Sequence, residues 1–546
     1  MPCNLKNVLL LYTDKYYLIK QVYPFGLDLI GNHLKRHDFN VTIDYPFLPL
    51  PDLETNLIEI IKRCKPDAIG LGIRNIDTAM SCEKFGNHKG PGCKTFYFLP
   101  DIKKIVEIIR NLSFDIPIIA GGGAFTVSPE AILEFLGIEY GIIGEGEDPL
   151  LQFLNAYPDK EKIKKIPNMV FKASNGFQIN RRQSYSFKKG RVLNERDSKF
   201  NYAYETSGLP VQVKRGCNQN CSYCVEPLIE GNKFIFRNHG DIIAELNTIA
   251  EKYDGIKSIF FTDTEFNIPN LKYCSGLVEK LRKSGLHEHF RFSSQFLPKP
   301  FDENFAKLLA DTGFSVILTC DSFADSVLSI NKVSYRQKDI TQTLGLCEKF
   351  NIDCTVNLVF GLPGESYETI DHTLEEMMKY PPNALRRYEY TIGGRIYQDT
   401  PLSRFVERES NVDHLYGKKS KGYLEPYYYC SPDNPFNLKK HLERFLPFFI
   451  DYQNNYDKNL HQTLSVAYLA DQGRWDEAAA SFLAGPLSSQ ISIYDYLFRK
   501  FADSGKLELA RSISEHLINA IHQSQKASEY EDQISVIRYY LSIIAD

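Results

Sequence analysis

The sequence lacks the features that mark several common classes of protein. Its 546 residues carry 64 Lys and Arg against 68 Asp and Glu, with neither a basic tail nor an arginine stripe. Nucleic acid is therefore a poor default partner. No apolar run approaches the roughly 18 residues of a membrane-spanning helix, and the N-terminus has no small-residue cleavage site of a secretory signal. We expect a cytoplasmic protein that binds neither nucleic acid nor a membrane.

Disulfides are also not expected. Twelve cysteines are present, but they are spread through a long chain without a secretory signal. This distribution favours free thiols in a reducing cytosol. The chain is 43% hydrophobic and 24% charged, so it has enough apolar content to bury large cores. Its length suggests about three domains.

Residues 1–155 alternate short apolar runs with amphipathic helical segments, which is typical of a doubly wound, Rossmann-like parallel sheet. Such sheets bind ligands beyond the carboxyl ends of their strands. Here those ends carry "IRNID", "GGGAFTVSP" and "GEGE". The three consecutive glycines either let a ligand approach the backbone or form only a tight turn. The missing G-x-G-x-x-G fingerprint disfavours a nicotinamide cofactor.

Three further regions follow along the chain. Residues 156–204 are polar and predict a linker or hairpin. Residues 205–436 contain six β-type runs that alternate with helices, which predicts a partial or full (β/α)6 barrel with its chemistry at the carboxyl ends of the strands. Residues 437–546 predict an all-helical domain, with a weak repeat around Gly473 and Gly505. We expect this domain to pack against the barrel; binding of a protein partner is the alternative.

The stretch "VKRGCNQNCSYCVEP", residues 213–227, places Cys217, Cys221 and Cys224 at the spacing C-x3-C-x2-C after the first barrel strand. Structural zinc usually takes four protein ligands, and ordinary four-iron clusters take four cysteines. The next cysteine is Cys274. Three cysteines leave one metal position open to another ligand, although a zinc site completed by His239 is an alternative.

This cysteine motif, with Tyr223 just before its last cysteine, resembles the radical S-adenosylmethionine (SAM) superfamily. The segments "FFTDTEFNI", "VFGLPGES", "GGRIYQDTPL" and "LEPYYYCSP" resemble its cobalamin-dependent branch, which usually has proline where this chain has Gln398. The segment "IIAGGGAFTVSPEAILEFLGIEYGIIGEGEDPLL" resembles the cobalamin-binding domain of that branch. The resemblance covers residues 1 to about 435.

The resemblance implies three cofactors: a [4Fe-4S] cluster on Cys217, Cys221 and Cys224, SAM on the open iron, and cobalamin. The residues that it places near SAM are Tyr223, Arg237, Glu245, Asp263, Glu265, Ser293, Asp321, Gly361 and Arg395. Those that it places near cobalamin are Arg74, Asn75, Gly121, Gly122, Gly123, Ser128, Gly144, Glu145, Gly146 and Glu147.

No D-x-H-x-x-G motif is present, so no obvious histidine ligates cobalt. We hypothesise that Arg74 lies near the lower face of cobalt. In the alternative, Arg74 pairs with Asp77 or with another carboxylate.

The function that the resemblance implies is methylation of an unactivated carbon of a small, natural-product type substrate through methylcobalamin and a 5′-deoxyadenosyl radical. The alternatives are a non-methylating cyclase, rearrangement or oxidation enzyme, polar methyl transfer to an sp2 carbon, and, more remotely, a non-catalytic cofactor sensor. The expected partners are the substrate and an external electron donor of flavodoxin or ferredoxin type.

Overall fold

The computed structural model describes residues 5–49, 52–112, 115–183, 187, 196, 198–253, 255–408, 412–450, 458–524 and 527–544. Two mainly parallel sheets and a helical region follow one another along the chain. The predicted α/β fold class is confirmed. Within the described ranges, no helix combines the length and the apolar character needed to cross a membrane.

The N-terminal sheet has seven strands, Asn7–Tyr12, Asn40–Asp44, Ala68–Gly72, Ile118–Gly121, Tyr140–Ile142, Met169–Ala173 and Gly176–Ile179. Numbered along the chain, they lie in the order 2-1-3-4-5-6-7, and the first five are parallel. The helices between and after them are Phe25–Lys35, Leu53–Cys64, Leu99–Asn111, Gly123–Val127, Pro129–Leu136, Glu147–Ala156 and Lys160–Ile163. This is the doubly wound sheet that the sequence predicts, with its carboxyl strand ends on one edge.

Apolar runs form the central strands because both faces of the sheet are covered by helices. The first strand is buried along Val8–Tyr12, and each covering helix turns an apolar stripe toward it. Capping fixes where helices begin: Asp52 accepts a hydrogen bond from the backbone of Glu54 at the start of Leu53–Cys64. The buried sheet therefore holds its strand-end loops on a rigid support.

The segment predicted as a linker or hairpin contributes to this sheet. Met169–Ala173 and Gly176–Ile179 form an antiparallel hairpin, and its first strand pairs with Tyr140–Ile142. The hairpin therefore extends the N-terminal sheet, and Arg182, shortly after it, contacts Glu145 of the "GEGE" loop.

The central sheet has six parallel strands, Leu209–Val211, Ser258–Phe261, Arg291–Phe296, Ser315–Asp321, Cys354–Phe360 and Arg386–Ile392. They are paired in chain order, which is the partial (β/α)6 barrel that the sequence predicts. The helices of this region are Asn201–Ser207, Glu226–Glu230, His239–Lys252, Leu271–Lys283, Leu286–His289, Glu303–Asp311, Asp325–Ile330, Gln337–Lys349, Tyr367–Lys379, Pro401–Arg408 and Pro435–His441.

The C-terminal region is helical, with helices Lys458–Asp471, Trp475–Ala484, Leu487–Asp503, Leu507–Gln523 and Glu531–Ile543. Only the start of the predicted domain lies on the barrel as expected, where the Ile450 N–H donates to the Tyr388 carbonyl of the sixth strand at 2.8 Å; the helices from Lys458 onward make their described contacts elsewhere. The Tyr468 hydroxyl donates to the carboxylate of Asp44 and accepts from the backbone N–H of Tyr45, at the edge of the N-terminal sheet. Arg499 pairs with Glu205 of helix Asn201–Ser207 at 3.1 Å. The described contacts thus tie this region to the N-terminal sheet and to the helix that precedes the barrel.

Candidate cofactor and active site

The loop that carries the three cysteines begins with a backbone turn that only glycine adopts easily. Gly216 has φ +97°, and a Cβ there would lie 2.1 Å from the carbonyl oxygen of Lys233. The backbone N–H of Cys217 donates to the carbonyl of Gly231 at 3.0 Å. A short antiparallel ladder, Lys214–Arg215 with Ile235–Phe236, closes the base of the loop. The cysteines therefore lie on a closed loop directly after the first barrel strand.

Side chains between the second and third cysteines fix the loop to the mouth of the barrel. Ser222 Oγ donates to Asn331 Oδ1 at 2.5 Å, and its backbone N–H donates to the Asn331 carbonyl at 3.0 Å. The Tyr223 hydroxyl donates to Asp321 Oδ2 at 2.6 Å. Asp321 ends the fourth barrel strand with φ +55°, an unusual conformation for a non-glycine residue. Tyr223 and Asp321, both predicted near SAM, are in direct contact.

The three thiols share one electrostatic environment. Burial raises the pKa of each thiol above its ordinary value, and at Cys224 the carboxylate of Glu226 and then the other two thiols add to the rise. The thiols are therefore protonated on their own. Because a metal binds the thiolate, iron must displace these protons when it binds.

All three thiols are free of disulfides. No set of three or more His, Cys, Asp and Glu side chains in the described ranges is grouped so that it could hold a single metal ion. The zinc site completed by His239 is thus not formed: the His239 ring packs on Tyr273 at 4.3 Å instead. A four-iron cluster binds each cysteine through a different iron, so its cysteines need not meet around one ion.

Two acidic residues after the second barrel strand differ in their surroundings. Asp263 is buried and accepts hydrogen bonds from the backbone N–H groups of Val213 and Lys214 and from Lys214 Nζ at 3.2 Å. The Glu265 side chain accepts one hydrogen bond, at Oε1 from Thr319 Oγ1 at 2.9 Å, and within the described ranges its buried Oε2 has no partner. Burial raises the pKa of Glu265 to about 8. Of the two, Glu265 has an oxygen left for a ligand.

Arg237 and Glu245 form a buried ion pair of 2.6 Å, which Arg196 joins at 2.8 Å. Arg237 also donates to the carbonyl of Gln212. These two predicted SAM residues thus contact each other beside the first barrel strand. That these two residues lie near SAM stays a prediction.

Three more predicted SAM residues lie apart from this pair. Ser293 Oγ donates to the Ile259 carbonyl at 3.5 Å, and Gly361, with φ +93°, donates its N–H to Glu365 Oε2. Arg395 is 4% exposed and pairs with Asp77 of the N-terminal region at 3.0 Å. The guanidinium of Arg395 therefore connects two domains in this structure.

Arg74 pairs with a carboxylate at the strand ends, and that carboxylate is Asp14. Arg74 Nη1 and Asn75 Nδ2 both donate to Asp14 Oδ2 at 3.0 Å. The Arg74 side chain is nevertheless 47% exposed. Glu226, next to the last cysteine, has its pKa raised to about 7 by burial and by Glu230, while Arg74 lowers it. Arg74 therefore lies in the space between the N-terminal strand ends and the cysteine loop.

The glycine loop after the fourth strand lies against the chain itself. Gly122 has φ +107°, and a Cβ there would lie 2.6 Å from the carbonyl oxygen of Ile73. A Cβ at Gly123 would lie 3.5 Å from Ile229 of the helix after the cysteines, and one at Gly121 would lie 3.5 Å from the Ile142 carbonyl oxygen. The glycines therefore form the tight turn that was one of the two alternatives, and this turn places their loop beside the cysteine loop.

The other predicted cobalamin residues surround the same edge. Ser128 Oγ donates to the Gly422 carbonyl at 2.8 Å. Gly144, with φ +65°, donates its N–H to Thr126 Oγ1, and a Cβ at Gly146 would lie 2.9 Å from Ile30. Glu147 is 4% exposed and begins the helix that follows.

An ionic network joins this edge to both sides of the cysteine loop. Glu145 Oε1 lies 3.1 Å from Arg182 Nη2 and 3.1 Å from Arg215 Nη1. Arg182 also donates to the carbonyls of Leu228, at 2.9 Å, and Ile229. We call Glu145, Arg182 and Arg215 the interdomain clamp. Arg215 precedes the first cysteine and Leu228 follows the last, so the clamp holds the cysteine loop from both ends.

Sequence reasoning missed most of these partners. Arg182 lies in the segment interpreted as a linker, and Asp14 carries no motif of its own. Glu226 stands beside the third cysteine, and its acidic charge next to the metal-type motif was the one signal available. The other contacts join residues far apart along the chain, which a local pattern does not reveal.

Residues 211–377 match the Radical SAM superfamily. The chain contains a radical SAM domain. The resemblance found in the cysteine motif is confirmed, and the domain coincides with the barrel strands that carry the cysteine loop, Glu265 and Asp321.

Curated relatives extend beyond this domain. The tryptophan 2-C-methyltransferase of Streptomyces laurentii is 23% identical over 423 residues, which cover 65% of this chain and 68% of that protein. A tRNA-2-methylthio-N(6)-dimethylallyladenosine synthase of Sulfurihydrogenibium sp. is 27% identical over 37% of this chain and 47% of that protein. The bacteriochlorophyllide d C-12(1)-methyltransferase of Chlorobaculum tepidum is 24% identical over 44% and 50%. The chain thus spans about half of the latter two relatives.

Solved structures match the whole architecture. The radical SAM methyltransferase TsrM from Kitasatospora setae, with tryptophan and a SAM analogue bound, has a TM-score of 0.70 at 21% identity, over 86% of this chain and 99% of that chain. The cobalamin-dependent radical SAM enzyme OxsB, with aqua-cobalamin bound, has a TM-score of 0.62 at 15% identity, over 99% and 84%. The radical SAM domain is thus combined with the fold of the cobalamin-dependent enzymes.

The residues around this edge fit an iron–sulfur cluster, SAM and cobalamin, the three cofactors of enzymes with this fold. Three thiols on one closed loop suit an iron–sulfur cluster with an open iron. The buried Glu265 Oε2 and Thr262 Oγ1, both without partners in the described ranges, suit the polar end of SAM. Arg74, the glycine turns and Glu145 Oε2, also without a partner, line the edge where the doubly wound sheet would hold a corrin.

Proposed function

We propose that this protein is a cobalamin-dependent radical SAM methyltransferase that methylates a carbon atom of a small molecule. The observation that carries the proposal is the interdomain clamp. Glu145 of the "GEGE" loop holds Arg215 before the cysteines, and Arg182 holds the helix after them. The cysteine loop and the corrin-binding edge thus face each other across one space.

When bound, the cluster supplies the electron that cleaves SAM, and cobalamin carries the methyl group. The polypeptide positions the cluster and the corrin and excludes water from the space between them. The closed loop fixes Cys217, Cys221 and Cys224 at the mouth of the barrel, and Tyr223 holds the loop to Asp321. Because reacting groups gain most from being held close and oriented, this rigid arrangement is the main contribution expected of the protein.

The names of two relatives support transfer of a methyl group to carbon. By their names, the first acts on C-2 of tryptophan and the other on a carbon of a bacteriochlorophyllide. We extend this to a small-molecule substrate here, with an external flavodoxin- or ferredoxin-type electron donor and a cytoplasmic location.

Product analysis tests the proposal. The protein is reconstituted anaerobically with iron, sulfide and cobalamin, reduced, and given SAM with a methyl-d3 label together with a panel of aromatic and heterocyclic compounds. We expect S-adenosylhomocysteine and a product heavier by a labelled methyl group. 5′-Deoxyadenosine alongside them indicates radical transfer, and its absence indicates polar transfer to an sp2 carbon.

Matched cysteine variants make the result specific. Cys224→Ala removes a cluster ligand, whereas Cys64→Ala removes a partly exposed thiol in helix Leu53–Cys64. We expect turnover to be lost in the first variant and kept in the second. 5′-Deoxyadenosine without any methylated product or S-adenosylhomocysteine, throughout the panel, contradicts the methyltransferase and favours the non-methylating alternative.

A further inference from the structure

Asn331 is a buried residue at the mouth of the barrel whose side chain bonds to three segments at once. It follows helix Asp325–Ile330 and is 1% exposed. Its Oδ1 accepts from Ser222 Oγ at 2.5 Å, and its Nδ2 donates to the carbonyls of Val327 and Pro363, each at 2.9 Å. Carbonyl oxygens only accept, so the orientation of this amide is fixed. Asn331 is therefore a bridge between the cysteine loop, the helix and the loop that contains Pro363.

Two of these segments belong to the predicted cofactor site. Ser222 lies between the second and third cysteines, and its backbone N–H also donates to the Asn331 carbonyl at 3.0 Å. Pro363 lies in "GLPGES", residues 361–366, which we call the strand-five loop because it follows the fifth barrel strand. Gly361 of this loop is a predicted SAM residue. The Asn331 side chain thus connects the loop that would carry the cluster with a loop predicted to contact SAM.

Apolar packing holds the same parts together but does not fix their positions. Leu362 of the strand-five loop is buried against Ala324 and Val327. Tyr223 of the cysteine loop packs on this group. Apolar burial is non-directional, whereas hydrogen bonds have narrow ranges of distance and angle. The hydrogen bonds of Asn331 therefore set the register between the two loops.

A second residue shortly after Asn331 holds the cysteine loop from the same side. The Tyr335 hydroxyl donates to Asp321 Oδ2 at 3.0 Å, the same oxygen that accepts from the Tyr223 hydroxyl at 2.6 Å. Tyr335 is itself buried. Asn331 and Tyr335 together therefore frame the part of the cysteine loop that lies between its second and third cysteines.

A ligand that reaches from one loop to the other needs the two loops at a fixed separation. SAM is such a ligand here, because the resemblance places it both on the open iron of the cluster and beside Gly361. Supports that are already in place raise affinity, since they need no ordering when the ligand binds. A small displacement of one loop should therefore weaken SAM binding even where the cluster itself is intact.

We propose that Asn331 is a positioning residue for SAM: it holds the cysteine loop and the strand-five loop at the separation that SAM spans. This inference rests on the proposed function and deepens it, because it adds a residue that belongs to none of the motifs in the sequence. Asn331 acts through Ser222 and Pro363 and takes part in no chemical step.

Binding of SAM to the reduced cluster tests this role without turnover. Asn331→Leu keeps nearly the same shape and removes the bonds of the side chain, while the bond from the Ser222 N–H to the carbonyl of residue 331 remains. The protein is reconstituted with iron and sulfide and reduced, and the electron paramagnetic resonance signal is followed as SAM is added. We expect the iron content of the wild type and a SAM concentration at half of the signal change that is about tenfold higher. Tenfold corresponds to about 1.4 kcal/mol, the size of one net hydrogen bond.

A matched control separates this role from a general loss of stability. Asn56 is also buried, and its Nδ2 donates to the carbonyls of Pro46 at 3.3 Å and Pro49 at 2.5 Å in the N-terminal domain. Asn56→Leu should lower the melting temperature, as Asn331→Leu does, but leave the SAM response of the cluster unchanged. If Asn331→Leu does not fold, Ser222→Ala removes only the Oγ bond and should raise the half-change concentration about threefold, with the iron content kept.

An unchanged SAM response in Asn331→Leu, or in Ser222→Ala where that variant replaces it, overturns the positioning role. So does a loss of iron that accounts for all of the weaker response, or an equal effect of Asn56→Leu.

Because the titration needs neither cobalamin nor substrate, its outcome is independent of the product analysis. Weaker SAM binding without any methylation leaves the positioning role in an enzyme of different chemistry. An unchanged response beside normal methylation removes that role alone. A wild-type cluster signal that SAM does not change contradicts the positioning role and the proposed function together.

Discussion

Removing Arg182 should detach the cysteine loop from the N-terminal domain. Its guanidinium contacts Glu145 and the carbonyls of Leu228 and Ile229, and a Cβ at Gly144 would lie 2.5 Å from its Nε. Arg182→Ala removes all of these contacts at once. It also leaves two carbonyls at the end of helix Glu226–Glu230 without their donor.

The size of the effect follows from the burial of the pair. The Arg182 and Glu145 side chains are 26% and 10% exposed, so solvent screens them only in part. Hydrogen bonds to charged groups contribute about 1.5–3 kcal/mol each in buried settings, and Arg215 still holds Glu145 after the substitution. We expect a loss of about 2–3 kcal/mol in the free energy that docks the loop, which is about 30- to 150-fold in its docking equilibrium.

Hydrogen exchange in the apoprotein measures this equilibrium directly. Amides of residues 216–231 should exchange about 30- to 150-fold faster in Arg182→Ala, while the barrel strands stay protected. Arg181→Ala is the matched control, because Arg181 is adjacent in sequence and exposed. Equal exchange in the two variants, or unchanged exchange in Arg182→Ala, would refute the role assigned to the clamp.

Three further outcomes are expected. Gly122→Ala, which would place a Cβ 2.6 Å from the Ile73 carbonyl oxygen at φ +107°, should abolish cobalamin retention in gel filtration while iron content is kept. Tyr223→Phe, which loses the 2.6 Å bond to Asp321, should lower the cluster content several-fold after reconstitution, measured as iron per chain. Burial raises the pKa of Glu83 from 4.5 to about 7, so the folded state holds this proton more tightly and stability falls as pH rises across that window. Glu83→Gln should therefore increase the free energy of unfolding at pH 8 by up to about 3 kcal/mol, seen as a higher melting temperature, and should not increase it at pH 4. Equal shifts of the melting temperature at both pH values would contradict this.

The features that the sequence predicts well are those with a local signal. Six apolar runs alternate with helices, and the barrel strands lie where those runs are, because a buried parallel strand is apolar along its length. The spacing of Cys217, Cys221 and Cys224 identifies the loop, because closely spaced cysteines in a chain of this kind are typical of a metal site. The tight turn at Gly122, one of the two alternatives for the glycine run, also lies between a strand and a helix, where the sequence places it.

Contacts between distant segments were beyond such patterns. Arg395 belongs to a family segment and was predicted near SAM, yet its guanidinium reaches Asp77, 318 residues earlier in the chain. The C-terminal helices were expected on the barrel because their two weak repeats are too few to form a stable array of their own. Tyr468 instead bonds to Asp44 of the N-terminal sheet, 424 residues earlier. Domain packing decides both cases, and no short motif encodes it.

The central claim is that one chain holds a SAM-binding cluster beside cobalamin. The most direct measurement is electron paramagnetic resonance of the reduced protein, reconstituted with iron, sulfide and cobalamin, before and after SAM is added. The account predicts four irons and one cobalamin per chain and a cluster signal that SAM changes, with the signal lost in Cys221→Ala and kept in Cys64→Ala. A protein that binds no cluster, or a cluster signal that persists in Cys221→Ala, would contradict it.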